Sequence, residues 1–205
     1  MQASEHICRH LHIPLQSGDE DVLKRMNRSY RPQFYRDLIH HIVSAMPDVA
    51  IGVDVMVGFP GETDRAFDRT SGLIEDLPIA YLHVFPFSVQ KGTAAESLGD
   101  RVSPETIKKR ALVLRELGQA KRRAFYEGAV GSTMEILIEG KRDGTTGCLK
   151  GFSHNYVPVH IDGPDSLFNQ PVIVKLTGIE QGRVFGERLT TSPQTWKNER
   201  PEIDN

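Results

Sequence analysis

The sequence predicts an α/β unit followed by a small antiparallel β-barrel, and two observations support this fold class. Apolar strands alternate with amphipathic helices up to residue 102, which is typical of parallel βα units. After Gly131 the pattern changes to five short strands separated by Gly, Asp, Asn and Pro turns, which indicates a barrel. At 205 residues the chain is long enough to bury two such cores.

The composition excludes few function classes. Hydrophobic residues make up 39% of the chain and the net charge is −2, so bulk charge indicates no partner. The sequence shows neither an apolar run long enough to cross a bilayer nor the order of a signal peptide. With two cysteines there is no disulfide framework. We therefore expect a cytoplasmic protein with no membrane partner.

The strand from Val49 onwards, in the stretch VAIGVDVMVGFPGET, organises the first unit. Its Val- and Ile-rich run predicts a strand that is buried on both faces. The turn at Gly58–Gly61 ends it, and Thr63 suits the N-cap of a following helix. Asp54 is a carboxylate inside this apolar strand, so it must either be hydrogen-bonded within the core or face a ligand.

Further elements flank this strand. Short strands are predicted at Leu11–Leu15 and Tyr81–Phe87, and a helix begins at Asp19. A second helix begins at Pro32, and its apolar residues recur every four positions, at Phe34, Leu38, Ile42 and Met46. The helix after Thr63 is expected to bury Phe67, Leu73, Ile74 and Leu77.

A long basic helix is predicted from Pro104 to about Glu127. Between residues 104 and 128 the sequence has seven basic and three acidic residues. A solvated helix face and a surface for phosphate groups both explain such an excess.

The five predicted barrel strands are Met134–Ile138, Gly147–Phe152, Tyr156–Ile161, Val172–Leu176 and Arg183–Leu189. Lys141-Arg142-Asp143-Gly144 is a hairpin turn between the first two. The last residues, 191–205, show no periodic pattern, and we expect them to be disordered.

Alternating residues near the start, His6, Cys8, His10 and His12, would share one face of an extended chain. Zinc binding is conceivable from these residue types. The alternative is a strand entry that is simply rich in histidine, and the lack of CxxC spacing favours it. No metal ligand is assigned from the sequence.

Four motifs in order resemble the methylthiotransferases of the radical S-adenosylmethionine superfamily: HLHIPLQSGDEDVLKRMNR, DVMVGFPGET, HVFPFSVQKGTAA and GFSHNYVPV. The small barrel resembles their TRAM domain, an OB-like RNA-binding module. HVFPFS and NYVPV are most similar to the branch that acts on threonylcarbamoyladenosine beside the tRNA anticodon. The alternatives are the isopentenyladenosine branch, the ribosomal-protein branch, and a non-catalytic RNA-binding module.

The resemblance implies a domain plan. Residues 1–102 would be the C-terminal βα units of a partial TIM-type barrel, 103–128 a connecting helix, 129–190 the TRAM barrel and 191–205 a tail. The family's CxxxCxxC motif, which holds a [4Fe-4S] cluster, is absent from this sequence. The chain is therefore expected to need the N-terminal half of the enzyme as a partner, to contain no catalytic residue, and to be inactive alone.

The resemblance also implies binding residues. S-adenosylmethionine would contact Gln16, Ser17, Arg28, Asp54, Gly58 and Glu62. Of these, Gln16 at the end of the first strand and Asp54 in the next strand suit ribose hydroxyls. Arg28, on the helix between those strands, suits the methionine carboxylate, and Gly58 allows close approach near the adenine. A tRNA anticodon stem-loop would contact Lys121, Arg122 and Arg123 on the helix, and Lys150, His154, Asn155 and Tyr156 on the barrel.

Overall fold

The structure, a computed structural model, describes residues 8–189. The chain divides into two compact units between Phe125 and Tyr126. Two sequence predictions lie outside the described residues: the disordered tail at 191–205, and His6 in the histidine-rich entry.

The first unit has the predicted α/β character. Its three strands form one parallel sheet in the order β1-β2-β3, with β1 at His10–His12, β2 at Ala50–Val57 and β3 at Tyr81–Pro86. The helices are α1 (Glu20–Arg25), α2 (Pro32–Ala45), α3 (Asp64–Asp76) and α4 (Pro104–Ala129), of which α4 extends into the second unit. A 3-10 turn at Ala94–Ser97 precedes α4.

One face of the sheet forms the core of this unit. Side chains alternate between the two faces of a strand, and Ile51, Val53 and Val55 from β2 are fully buried. They belong to a single apolar cluster with Ile39 of α2 and Ile74 of α3. The helices therefore cover one face of the sheet. The prediction that β2 is buried on both faces was partly wrong, because Asp54 and Met56 on its other face are only partly buried.

The apolar stripe predicted for α2 was partly wrong. Phe34 is 61% exposed, whereas Tyr35 and Ile39 are buried and Met46 packs into the core at the helix end. An α-helix turns by 3.6 residues, so a repeat of four drifts around the helix by about 40° at each step. The stripe that starts at Phe34 therefore begins in solvent and reaches the core only near its end.

The first helix is shorter than the sequence suggests. It ends at Arg25, and Asn27 adopts a positive φ of 56°. The backbone N–H of Arg28 then donates to the carbonyl of Leu23, and that of Asn27 to Lys24, which is a Schellman closure. Arg28, expected on this helix, lies just beyond it and is exposed.

The second unit is a closed five-stranded barrel in the order β4-β5-β6-β8-β7. Its strands are β4 (Thr133–Arg142), β5 (Leu149–Ser153), β6 (Pro158–Ile161), β7 (Pro171–Glu180) and β8 (Arg183–Arg188), with a 3-10 turn at Asp165–Leu167. All five predicted strands are present. The expectation of a wholly antiparallel barrel was wrong, because β6 and β8 pair in parallel to close it.

A turn joins the first two barrel strands as predicted, but it begins at Asp143, because Lys141 and Arg142 still belong to β4. The strands β4 and β5 are antiparallel neighbours, and one carboxylate oxygen of Asp143 accepts hydrogen bonds from the backbone N–H groups of Thr145 and Thr146. The Thr146 hydroxyl donates to the same oxygen at 3.0 Å. These bonds lower the pKa of Asp143 to about 2.

Within residues 8–189, none of the helices combines the length and the apolar character that crossing a membrane would require.

Candidate functional site

The face of the sheet opposite the core carries polar rings instead of aliphatic side chains. It presents His10 and His12 from β1, Asp54 from β2, and Tyr81 and His83 from β3. The register aligns them, since Asp54 is the direct partner of His83 across the β2–β3 ladder. We call these five residues the histidine face.

A glycine in β2 makes room for the largest ring on this face. A Cβ atom at Gly52 would lie 2.2 Å from the Tyr81 ring, so the ring lies directly over the backbone of Gly52. The Tyr81 hydroxyl is 2.8 Å from Nε2 of His10, and the two rings are stacked. Burial raises the pKa of Tyr81.

Asp54 lies at the centre of the histidine face. Its Oδ1 atom is 2.8 Å from Nε2 of His12 and 3.3 Å from Nδ1 of His83. That oxygen is buried, yet no donor among the described residues is aligned to hydrogen-bond with it. Both ring nitrogens are thus close to this oxygen without the geometry of a hydrogen bond. A buried acceptor without a donor is costly.

The backbone beside Asp54 is irregular. Regular pairing of β1 ends at His12, before Pro14, which has no N–H to donate. The N–H groups of Leu15 and Gln16 then both donate to the carbonyl of Asp54. Gln16 has a positive φ of 64° and bridges to Val55. The prediction that Gln16 ends the strand was therefore only approximate, but Gln16 does lie beside β2, with its backbone N–H bonded to the Asp54 carbonyl.

Ser17 is buried and bonded within the protein. Its hydroxyl lies 3.3 Å from that of Thr70 and accepts from the backbone N–H of Asp19. Asp19 in turn caps α1 through the N–H groups of Asp21 and Val22. The geometry gives Ser17 a role in positioning this turn, and its contact with a cofactor stays a prediction.

The GFPGET turn is held by a buried ion pair. Gly58 has a positive φ of 80°, which suits glycine, and its N–H donates to Oε1 of Glu62 at 3.0 Å. The same oxygen lies 2.6 Å from Nη1 of Arg110. Their side chains are only 1% and 7% exposed. Burial raises the pKa of Glu62, against the lowering effect of both hydrogen-bond donors.

Two of the basic α4 residues that are predicted to contact RNA interact with other residues of the first unit. The ammonium group of Lys121 donates to the carbonyls of Glu75 and Leu77, at the end of α3, and burial lowers its pKa. The guanidinium of Arg122 lies 5.8 Å from the centre of the Tyr81 ring. Arg123 is exposed. Lys121 therefore has a structural role, and RNA contacts at all three positions stay predictions.

On the barrel, a small aromatic surface surrounds Tyr156. The ring of Tyr156 is exposed and lies 5.9 Å from that of Phe152. Nζ of Lys150 lies 4.8 Å from the centre of the Phe152 ring, and exposed Leu137 is the partner of Phe152 in the ladder. We call Leu137, Lys150, Phe152 and Tyr156 the aromatic patch.

The other two predicted barrel residues differ from each other. His154 is exposed. Asn155 is buried, and its Oδ1 atom accepts from the Ser153 hydroxyl at 2.6 Å. Asn155 therefore holds the turn that presents Tyr156, which has a positive φ of 62°.

Sequence reasoning missed four residues that the geometry brings into the sites: Tyr81, His83, Arg110 and Phe152. The alternation in YLHVF could have placed Tyr81 and His83 on the same face as Asp54. Side chains alternate along a strand, so the residues of neighbouring strands that do not face the core share the opposite face of the sheet. Nothing local indicates that Arg110 pairs with a residue 48 positions earlier.

Comparison with known proteins supports the resemblance. The model of the radical SAM superfamily matches residues 2–74. Proteins named tRNA-2-methylthio-N(6)-dimethylallyladenosine synthase are similar over most of the chain. The relative from Pelotomaculum thermopropionicum is 35% identical over 90% of this chain and 41% of its own length. The relative from Geobacillus kaustophilus is 36% identical over 89% of this chain and 34% of its own length.

The relative from Symbiobacterium thermophilum is 35% identical over 94% of this chain and 41% of its own length. The chain thus spans about two fifths or less of the curated relatives it matches. These names refer to dimethylallyladenosine, which is isopentenyladenosine by another name, and none of the three refers to threonylcarbamoyladenosine. Residues 2–74 match the radical SAM superfamily, and the chain along most of its length is similar to tRNA-modifying methylthio synthases.

Proposed function

We propose that this chain works as part of a tRNA methylthiotransferase that acts on isopentenyladenosine beside the anticodon. The observation that carries the proposal is similarity over about nine tenths of the chain to relatives with this named activity. The wording of HVFPFS and NYVPV favoured the threonylcarbamoyladenosine branch, but the relatives' names favour the isopentenyladenosine alternative.

The histidine face and the Gly58 turn support a role in binding S-adenosylmethionine. Asp54 offers a buried oxygen with no aligned donor, and the hydroxyl groups of a ribose could supply one. The backbone N–H of Gln16 donates to the carbonyl of Asp54. The side-chain amide of Gln16 can both donate and accept hydrogen bonds. When bound, S-adenosylmethionine would supply a methyl group and, given an electron from outside this chain, a radical. The share of these residues is to orient it.

The cysteines of this chain do not fit an iron–sulfur cluster. A [4Fe-4S] cluster is held by three or four thiolates, whereas the sequence contains only Cys8 and Cys148. We therefore assign no step in this chain to a cluster. A polypeptide segment that carries the CxxxCxxC motif would have to act together with it.

The aromatic patch suits an unstacked base of an RNA loop. Single-stranded bases stack on exposed aromatic rings, and each such contact contributes about 1–3 kcal/mol. The barrel has six basic and seven acidic residues between positions 129 and 190, so its net charge attracts phosphates weakly. Lys150 adds a positive charge within the patch, although it also lies 3.6 Å from Glu139.

Binding of three synthetic anticodon stem-loops, measured by fluorescence anisotropy, tests the proposal. The loops carry isopentenyladenosine, threonylcarbamoyladenosine or plain adenosine at the same position. We expect the tightest binding for the isopentenyl loop. Equal binding of all three would remove the support for that substrate, and tightest binding of the threonylcarbamoyl loop would favour the other branch. No RNA binding at all would overturn the role in tRNA modification.

A pair of aromatic variants tests where the RNA binds. Tyr156→Ala should weaken binding by about 1–3 kcal/mol with little change in its salt dependence. Phe34→Ala is the matched control, because Phe34 is a similarly exposed ring on α2. Circular dichroism checks that both variants are folded. If Tyr156→Ala binds like the parent chain, the RNA surface lies elsewhere.

A further inference from the structure

We propose that His12, Asp54 and His83 form a binding site for a divalent transition-metal ion, independently of the proposed function. Two imidazole nitrogens and one carboxylate oxygen lie within 4.8 Å of one another at the centre of the histidine face. Imidazole and carboxylate ligands together suit Zn²⁺ and Fe²⁺ better than Mg²⁺ or Ca²⁺, which prefer sites made of oxygen alone.

Two of the three distances between ligand atoms fit one shared ion. Metal–nitrogen and metal–oxygen bonds of about 2.0–2.2 Å, at angles of about 90–110°, place neighbouring ligand atoms about 2.8–3.6 Å apart. In the structure Asp54 Oδ1 lies 2.8 Å from one histidine nitrogen and 3.3 Å from the other. The remaining gap, between the two nitrogens, is at most 4.8 Å. Binding of one ion therefore requires the His12 and His83 side chains to bring their nitrogens closer together.

The surroundings support a metal better than a simple histidine–aspartate hydrogen bond. Asp54 Oδ1 is buried and has no aligned hydrogen-bond donor, despite two ring nitrogens close by. A cation between the three atoms would satisfy that oxygen and use both nitrogens at once. The ligands are anchored on three adjacent parallel strands, so their backbones are fixed relative to one another.

The site would be an open one. The side chains of His12 and His83 are 34% and 51% exposed, against 21% for Asp54. Three protein ligands leave at least one coordination position to water or to a substrate atom, as in catalytic zinc sites. The neighbouring ring of Tyr81, 5.2 Å from that of His83, would form one wall beside this position.

Titration of the full chain with Zn²⁺ tests the site. We expect calorimetry to show one ion per chain. The variants His83→Gln, His12→Gln and Asp54→Asn should each weaken binding by at least about 10–100-fold. That is the loss typical when a residue that hydrogen-bonds to a metal ligand is replaced, and loss of a ligand itself should cost no less. Substitution with Co²⁺ adds a second readout, since its visible spectrum reports the number of ligands.

Controls separate this site from other metal-binding groups. His40→Gln and His41→Gln remove exposed histidines of α2, and Cys8→Ser removes an exposed thiol two residues before His10. These three variants should bind Zn²⁺ like the parent chain. If any of them abolishes binding, or if the three ligand variants bind normally, the site is wrong. Should Asp54→Asn unfold, His83→Gln decides, because that side chain is half exposed.

The metal site and the predicted ribose contact both involve Asp54, and the experiment distinguishes them. Zn²⁺ binding is measured without S-adenosylmethionine, and cofactor binding is measured in the presence of a chelator. His83→Gln should reduce the first and leave the second unchanged. Loss of both in this variant, with the fold intact, would contradict a site specific to metal.

Discussion

Replacing Arg110 by Met should destabilise the first unit by about 3–5 kcal/mol, the loss observed when one partner of a buried ion pair is removed. Glu62 is almost fully buried, and Nη1 of Arg110 also donates to its backbone carbonyl at 3.1 Å. Asp64, the other partner of Arg110, is 92% exposed. Its contribution is therefore small, and Asp64→Asn should cost less than about 1 kcal/mol.

The charge left on Glu62 causes the loss, so a second change should rescue it. Adding Glu62→Gln to Arg110→Met removes the charge and keeps an oxygen for the N–H of Gly58. We expect the double variant to regain at least half of the loss. Urea denaturation followed by far-ultraviolet circular dichroism measures these differences. A double variant as unstable as Arg110→Met would refute the reasoning.

The same pair predicts a pH dependence. Because burial raises the pKa of Glu62 above 4.5 in the folded state, the folded chain holds this proton more tightly than the unfolded chain. Stability from this group is therefore full below pH 4.5 and falls as the pH rises through the folded pKa. The penalty of Arg110→Met should shrink at acidic pH, and an equal penalty at all pH values would contradict the assignment.

Three further predictions follow from other parts of the chain. The pKa of Asp143 is lowered from 3.8 to about 2 in the folded chain. Asp143 should therefore contribute stability that is present above pH 3.8 and lost as the pH falls toward 2. In thermal melts, Asp143→Asn should not show this acid-dependent part of the loss of stability. Gly72 lies in α3 with open space around it, so Gly72→Ala should stabilise the chain by about 0.5–1 kcal/mol. Gly52→Ala should instead destabilise the chain, because the added methyl group would displace Tyr81. Urea titrations compare the two variants. Anaerobic reconstitution with iron and sulfide should give no stoichiometric [4Fe-4S] cluster in the 205-residue chain, as absorbance and iron assay would show.

Local sequence predicted the elements well where one physical rule dominated. The apolar run of β2, the Thr63 cap and the Asp143 turn were each specified by neighbouring residues, and the structure contains all three. The same rules were less reliable where geometry departs from a simple repeat. Four-residue spacing misplaced Phe34, and the Schellman closure after Arg25 left Arg28 outside its helix.

The candidate sites were harder to predict because they combine residues that are distant in the sequence. Asp54 was identified as unusual from its own strand, but its neighbours His12 and His83 come from the two adjacent strands. Likewise, the basic residues of α4 look equivalent in the sequence. Only the fold shows that they differ. Arg110 is buried with Glu62 and Lys121 bonds to the end of α3, whereas Arg123 is exposed.

The parallel pairing of β6 with β8 makes the barrel dependent on its last strand. Val159 is the ladder partner of Val184, and β8 also pairs along its length with β7. Without β8, the sheet would have two unpaired edges, one on β6 and one on β7. Exposed edges of this kind add strands from other chains. A ribosome that stalls, or a protease that cuts, just before Arg183 would therefore produce a sheet with a strong tendency to polymerise, whereas one more strand closes the barrel and leaves neither edge unpaired.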